Sequence, residues 1–149
     1  MNLRSTILKE MEYKSQWTKT EILVRDFYKG YEYLVVSYGV HPCAYIALQE
    51  GQPYYNAKSY EDVDITCHGG CTFVDKGSNF KPLGFDNSYK VIGWDYGHYN
   101  DFSGIYLRDP ETHFSFRMNK KWTTEEIIEE CKHVIEQLYF LEHSELLYK

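Results

Sequence analysis

The sequence predicts an α+β fold: an antiparallel β-sheet with a C-terminal α-helix packed on one face. Three observations point there. Two runs rich in β-branched and aromatic residues flank Lys29-Gly30, as in a hairpin. Further short apolar runs follow, set between polar loops that hold Gly and Pro. Near the C-terminus a Thr-x-x-Glu capping box opens a stripe of apolar residues at three- and four-residue spacing.

In chain order, residues 1–17 read as a charged N-terminal arm, in which Ile7, Leu8 and Met11 have the spacing of a short helix. Residues 18–149 read as a single domain. Residues 20–28 and 31–38 are predicted as paired strands, and 43–48 as a third. Residues 49–60 form a polar loop. Residues 63–66 are predicted as a short strand that delivers Cys67-His68-Gly69-Gly70, with 71–74 resuming it. After a second polar loop, residues 91–96 are predicted as a strand that ends in Asp95-Tyr96-Gly97-His98-Tyr99-Asn100-Asp101. Residues 102–121 read as irregular, with a turn at Asp109-Pro110. Thr123 is the expected N-cap and Glu126 its reciprocal partner. Ile127, Ile128, Cys131, Val134, Ile135, Leu138 and Leu141 make the apolar stripe, and acids crowd the early turns where the helix dipole favours them.

At 149 residues, 43% of them hydrophobic, the chain is long enough to bury a core without staples. A net charge of −6 argues against binding a large nucleic acid through a broad basic face, which needs many Lys and Arg contacts to phosphate. It leaves room for a small nucleotide, which needs few cations and some backbone N–H groups. The first 20 residues carry charges throughout and no apolar core of a secretory leader, and no stretch reaches membrane-spanning length. A cytoplasmic protein with reduced thiols and no membrane partner is the expectation. Cys67, His68, Cys71, His41 and Cys43 lack the usual spacing of a zinc site.

Two glycine-flanked segments carry the chemistry. Asp95, His98 and Asp101 can converge around a point if the segment turns, and His68 can join them from a neighbouring strand end. Gly69-Gly70 can form a nest of backbone N–H groups for an anion. Tyr96 and Tyr99 are candidates for stacking on a base, although Trp94 and Tyr96 share one side of their strand and at least one belongs to the core. Arg108 and Arg117 are candidates for a phosphate contact. Two imidazoles and two carboxylates would also suit a divalent metal that activates water, and without metal His98 could be a general base oriented by Asp95 or Asp101. The bland alternative is that Asp95 and Asp101 cap local backbone groups and both histidines are structural.

These segments together carry a resemblance. His41-Pro-Cys-Ala-Tyr45, Asp64-Ile-Thr-Cys-His68-Gly-Gly-Cys-Thr-Phe73, Ile92-Gly-Trp-Asp95-Tyr-Gly-His98-Tyr-Asn-Asp101 and the Trp-Thr-x-Glu-Glu helix start occur in that order. The chain thus resembles a family of small, mostly uncharacterised proteins of Gram-positive bacteria and their phages. That family has His-Gly-Gly-Leu-Thr-Tyr and Gly-Phe-Asp-x-x-His-x-x-Asp segments. His68, Gly69, Gly70, Asp95, His98 and Asp101 match. Cys71 stands where the family has Leu, which argues against a thiol role there, and Trp94 stands for Phe. The phage association implies counter-defence. The leading expectation is a homo-oligomer that binds and sequesters a small nucleotide-derived immune signal, with no cofactor. His68, Gly69, Gly70, Asp95, Tyr96, His98, Tyr99 and Asp101 would be its contacts. The alternatives are a phosphodiesterase that uses a divalent metal to cleave such a signal, and an acidic inhibitor that docks on a basic immune effector.

Overall fold

The computed structural model describes residues 6–108 and 119–147, the side chains of 81–83 and 145–147 excepted. Five strands form one sheet: β1 (Glu21–Tyr28), β2 (Tyr31–Ser37), β3 (Pro42–Leu48), β4 (Phe73–Lys76) and β5 (Lys90–Asp95). Their spatial order is β1-β2-β3-β5-β4, with every neighbouring pair antiparallel. Helix α1 (Thr124–Leu147) packs on one face, so the predicted α+β architecture is the observed one. Lys29 and Gly30 both have positive φ, 49° and 84°. A two-residue turn with that backbone matches the twist of its flanking strands and sets the β1–β2 register, Tyr28 opposite Tyr31.

Alternation along the strands divides the apolar side chains between two layers. Tyr33, Val35, Ala44, Ile46, Ile92 and Trp94 meet Ile127, Ile128, Cys131, Val134, Ile135 and Leu138 of α1. Leu34, Val36, Cys43, Tyr45 and Val91 point to the other face, where Phe80, Phe85 and Tyr89 of the β4–β5 connection cover them. Strands β2 and β3 are therefore covered on both sides, which explains their almost unbroken apolar runs.

Helix α1 starts where its capping box places it. The Thr123 Oγ1 accepts from the Glu126 N–H at 3.2 Å, and the Glu126 carboxylate accepts from the Thr123 N–H at 3.0 Å. Thr123→Ala should cost about 1 kcal/mol, read as a lower urea midpoint with an unchanged slope.

Three local expectations change. Residues 6–17 hold no α-helix. Ile7 bridges Val24 of β1, and the Leu8 N–H donates to the Leu23 carbonyl at 2.8 Å. The segment continues as a strap: the Met11 N–H donates to Thr124 Oγ1, the Tyr13 hydroxyl to the Trp122 carbonyl, and the Lys14 N–H to the Gly39 carbonyl. These contacts satisfy backbone groups that a helix would have paired internally. Residues 63–66 join no sheet. One helix side chain, Gln137, takes both backbone groups of Thr66, its Oε1 accepting from the N–H at 2.8 Å and its Nε2 donating to the carbonyl at 2.7 Å. An amide that offers donor and acceptor together substitutes for a partner strand. Within 102–121, Gly104–Arg108 form a 3-10 helix; Asp109-Pro110, His113 and Arg117 lie outside the described residues. Among the described residues, no helix is long and apolar enough to cross a membrane.

Candidate functional site

The end of β5 and the turn before β4 meet above the N-terminal half of α1. Trp94 and Tyr96 point inward and are both fully buried, the indole Nε1–H donating to the Tyr96 hydroxyl at 3.0 Å. That hydroxyl donates to Glu130 of α1 at 3.2 Å, and the same carboxylate oxygen accepts from the His68 N–H at 2.8 Å. One helix carboxylate therefore ties the His68 loop to the end of β5.

Residues 67–70 close a turn through a Gly70 N–H bond to the Cys67 carbonyl at 3.0 Å. Gly69, at its third position, has φ of +72°, a backbone that favours glycine. The turn projects His68 onto Tyr96, the rings stacked at 4.9 Å with planes 4° apart. Trp122, next to the helix cap, packs tilted against both rings, 4.9 Å from His68 and 5.0 Å from Tyr96.

Asp101 locks this ring. Its carboxylate is 2% exposed and accepts from the His98 N–H at 2.9 Å, the Trp122 Nε1–H at 2.9 Å and the His68 Nε2–H at 2.7 Å. The His98 N–H and the Trp122 Nε1–H can only donate, so the carboxylate is the acceptor of the cluster, which assigns the Nε2–H tautomer to His68. Among the described residues His68 Nδ1 has no protein partner. His98 stands edge-on to His68 at 5.3 Å. Its Nε2 is buried against Gly69 with no hydrogen-bond partner, 3.5 Å from Asp95 Oδ1. Asp95 also accepts from the Gly97 N–H at 2.9 Å and lies 3.4 Å from the Thr72 hydroxyl.

His68, Gly69, Asp95, His98 and Asp101 thus come together, but with different parts from those expected. Tyr96 has no exposed surface; it is the floor under His68 and not a wall for a ligand. Tyr99 is 81% exposed at the rim. At the predicted anion nest Gly69-Gly70, the Gly70 amide donates to the Cys67 carbonyl and the preceding His68 amide to Glu130, while Gly69 is exposed. Gly69 instead provides space: a Cβ there would lie 2.1 Å from His98 Nε2. Asp101 both caps the 98–101 turn and grips His68, so the capping and site readings of that residue hold together. Arg108 donates to the Ser15 carbonyl, an anchor for the N-terminal strap.

Glu130 and Trp122 belong to the site, and sequence reasoning passed over both. A signal existed for each. Glu130 stands three residues after Ile127 and four before Val134, a carboxylate beside the apolar stripe. Trp122 directly precedes the N-cap, where an apolar residue often turns inward.

The cysteines are free. Among the described residues no group of three or more His, Cys, Asp or Glu side chains is placed to hold a metal ion. Burial pushes the Cys67 thiol up to about 12, with Cys71 and Glu130 adding to the shift. Burial likewise raises Cys43, Cys71 and Cys131, and the hydroxyls of Tyr33, Tyr45 and Tyr96. The native thiols should resist iodoacetamide at pH 8 and react once unfolded. The folded chain keeps these protons after the unfolded chain has released them. Stability is therefore full below about pH 9 and lost as pH rises toward 12. Denaturant midpoints should fall steadily above pH 9; a flat profile would count against burial of these groups.

No family model, curated protein or solved structure matches this chain.

Proposed function

We propose that the protein is a phage-type counter-defence factor that captures a small nucleotide-derived signal at the His68/His98 face and sequesters it. The observation that carries the reading is the Asp101 clamp, which holds His68 rigid over an aromatic floor with His98 at its edge. Imidazoles fixed in this way contact an anion or a ribose hydroxyl without an ordering cost at binding. The exposed Tyr99 ring at the rim offers a stacking surface, and the Asp95 carboxylate an acceptor for ribose hydroxyls. Tyr96 supports the site from below, and Gly69, exposed beside His98, leaves room for that ring. The proposal includes a cytoplasmic homo-oligomer, read by native mass.

The test is titration with a panel of cyclic dinucleotides and ADP-ribose derivatives, followed by calorimetry and native mass spectrometry. One ligand should bind intact and stoichiometrically. His98→Ala should weaken it at least tenfold, about 1.4 kcal/mol. A panel without any binder or any shift in melting temperature would sink the reading.

A second reading is favoured by one specific feature. A buried carboxylate on Nε2, with no protein partner on Nδ1 among the described residues, is also the arrangement of a general base that activates water. It requires the added nucleotide to leave as a lighter product, and that conversion to stop in His68→Ala.

A further inference from the structure

At the far end of β5, about 17 Å from Asp95 by strand rise, lies a second cluster with different chemistry. A cleft of about 340 Å³ is lined by Lys58, Lys76 and Lys90 together with Tyr55, Tyr89 and Asn87. No Asp or Glu lines it, although the chain as a whole carries −6. Elsewhere Lys9, Arg25, Lys29 and Lys120 each sit on a carboxylate. Among the described residues, Lys58, Lys76 and Lys90 make no ion pair; the Lys90 ammonium donates to the Ala57 carbonyl at 2.8 Å. The β4–β5 register sets Lys76 directly opposite Lys90. Like charges in opposed cross-strand positions destabilise a sheet, and an anion beside them removes that repulsion.

The cleft walls come from two loops tied together. The Tyr55 hydroxyl donates to the Ser88 carbonyl at 2.8 Å. Glu50 and Asp86 line an adjoining cleft across Tyr55 and Tyr89; Asp86 is turned to the Ser88 hydroxyl and N–H, whose hydrogen bonds hold its carboxyl below the usual range. The lining therefore presents cations for a phosphate, two phenol rings for a planar base and an amide for its edge.

We propose that this cleft is a binding site for a small phosphorylated nucleotide, independent of the His68 face. An open cleft of about 340 Å³ with three lysines favours a mononucleotide over a nucleic-acid strand, which needs an extended basic track.

The experiment is calorimetric titration of the intact protein with adenosine 5′-monophosphate, adenosine, inorganic phosphate and a short single-stranded oligonucleotide. The monophosphate should bind saturably, more tightly than phosphate, and adenosine should bind at least tenfold more weakly. Lys58→Glu and Lys76→Glu should each weaken the monophosphate at least tenfold, while His68→Ala leaves it unchanged. Lys76→Gln supplies an independent readout. It should raise the melting temperature of the free protein by relieving the opposed lysines and shrink the further rise on adding the monophosphate. The proposal is overturned by no saturable binding, by binding that survives both glutamate variants, by equal affinity for phosphate and monophosphate, or by preference for the oligonucleotide.

Discussion

Asp101→Ala is expected to be the most damaging single change in the site, at about 3–5 kcal/mol of stability. Three donors converge on this carboxylate: the His68 imidazole, the His98 amide and the Trp122 indole. Removing it leaves all three without their acceptor, two of them on aromatic rings that pack on one another. The 98–101 turn also loses its cap. Urea unfolding should show the loss, and the slowly exchanging His68 Nε2–H signal in proton NMR should vanish. Asp101→Asn can keep its amide oxygen where Oδ2 accepts from His68 and His98 and sets its NH₂ against the Trp122 indole N–H, so it should recover part of the stability and the NMR signal. An alanine variant within 1 kcal/mol of the parent would show that Asp101 does not organise the site.

Gly69→Ala should have the next largest effect, and Gly70→Ala separates its two causes. Both glycines have positive φ, +72° and +78°. Each substitution carries the backbone penalty of an L side chain there, about 1–2 kcal/mol. At Gly70 a Cβ meets nothing within 4 Å, whereas at Gly69 it would sit 2.1 Å from His98 Nε2 and 2.6 Å from its Cε1. Gly69→Ala should therefore cost at least about 1 kcal/mol more than its neighbour and push the His98 ring away from His68. The measurement is paired melting curves together with the His98 ring shifts in NMR. Equal losses in the two variants would mean that His98 yields without resistance. Ligand capture at the His68 face should fail in Gly69→Ala and survive in Gly70→Ala.

Much of the frame was legible from short windows. The Lys29-Gly30 turn, the apolar runs of β1, β2, β3 and β5, and the Thr123/Glu126 cap are each decided within a few residues, and each stands within a residue or so of where the pattern put it. The pattern misled where a long-range partner replaced a local one. Residues 63–66 have the composition of a strand, yet the Gln137 amide fills the place of a neighbouring strand. Ile7, Leu8 and Met11 have helical spacing, yet the edge of β1 and Thr124, the first residue of α1, draw that segment out into a strap. In the site, the glycines and ionisable groups marked the right segments, but not which groups would be spent on one another.

The sequence by itself determined the main strands, the antiparallel sheet with its terminal helix, and the two segments that carry ionisable side chains beside glycine. Periodicity, turn chemistry and capping are local, so a linear reading contains them. Only the tertiary structure decided that His68 would rest on Asp101, 33 residues away, and its amide on Glu130, 62 residues away. It alone buried Tyr96 beneath His68 and set Lys76 against Lys90 with no carboxylate between them. Such contacts depend on how loops cross the sheet and how α1 is rotated about its axis. That is settled by the burial of the whole apolar stripe and not by any one residue in it.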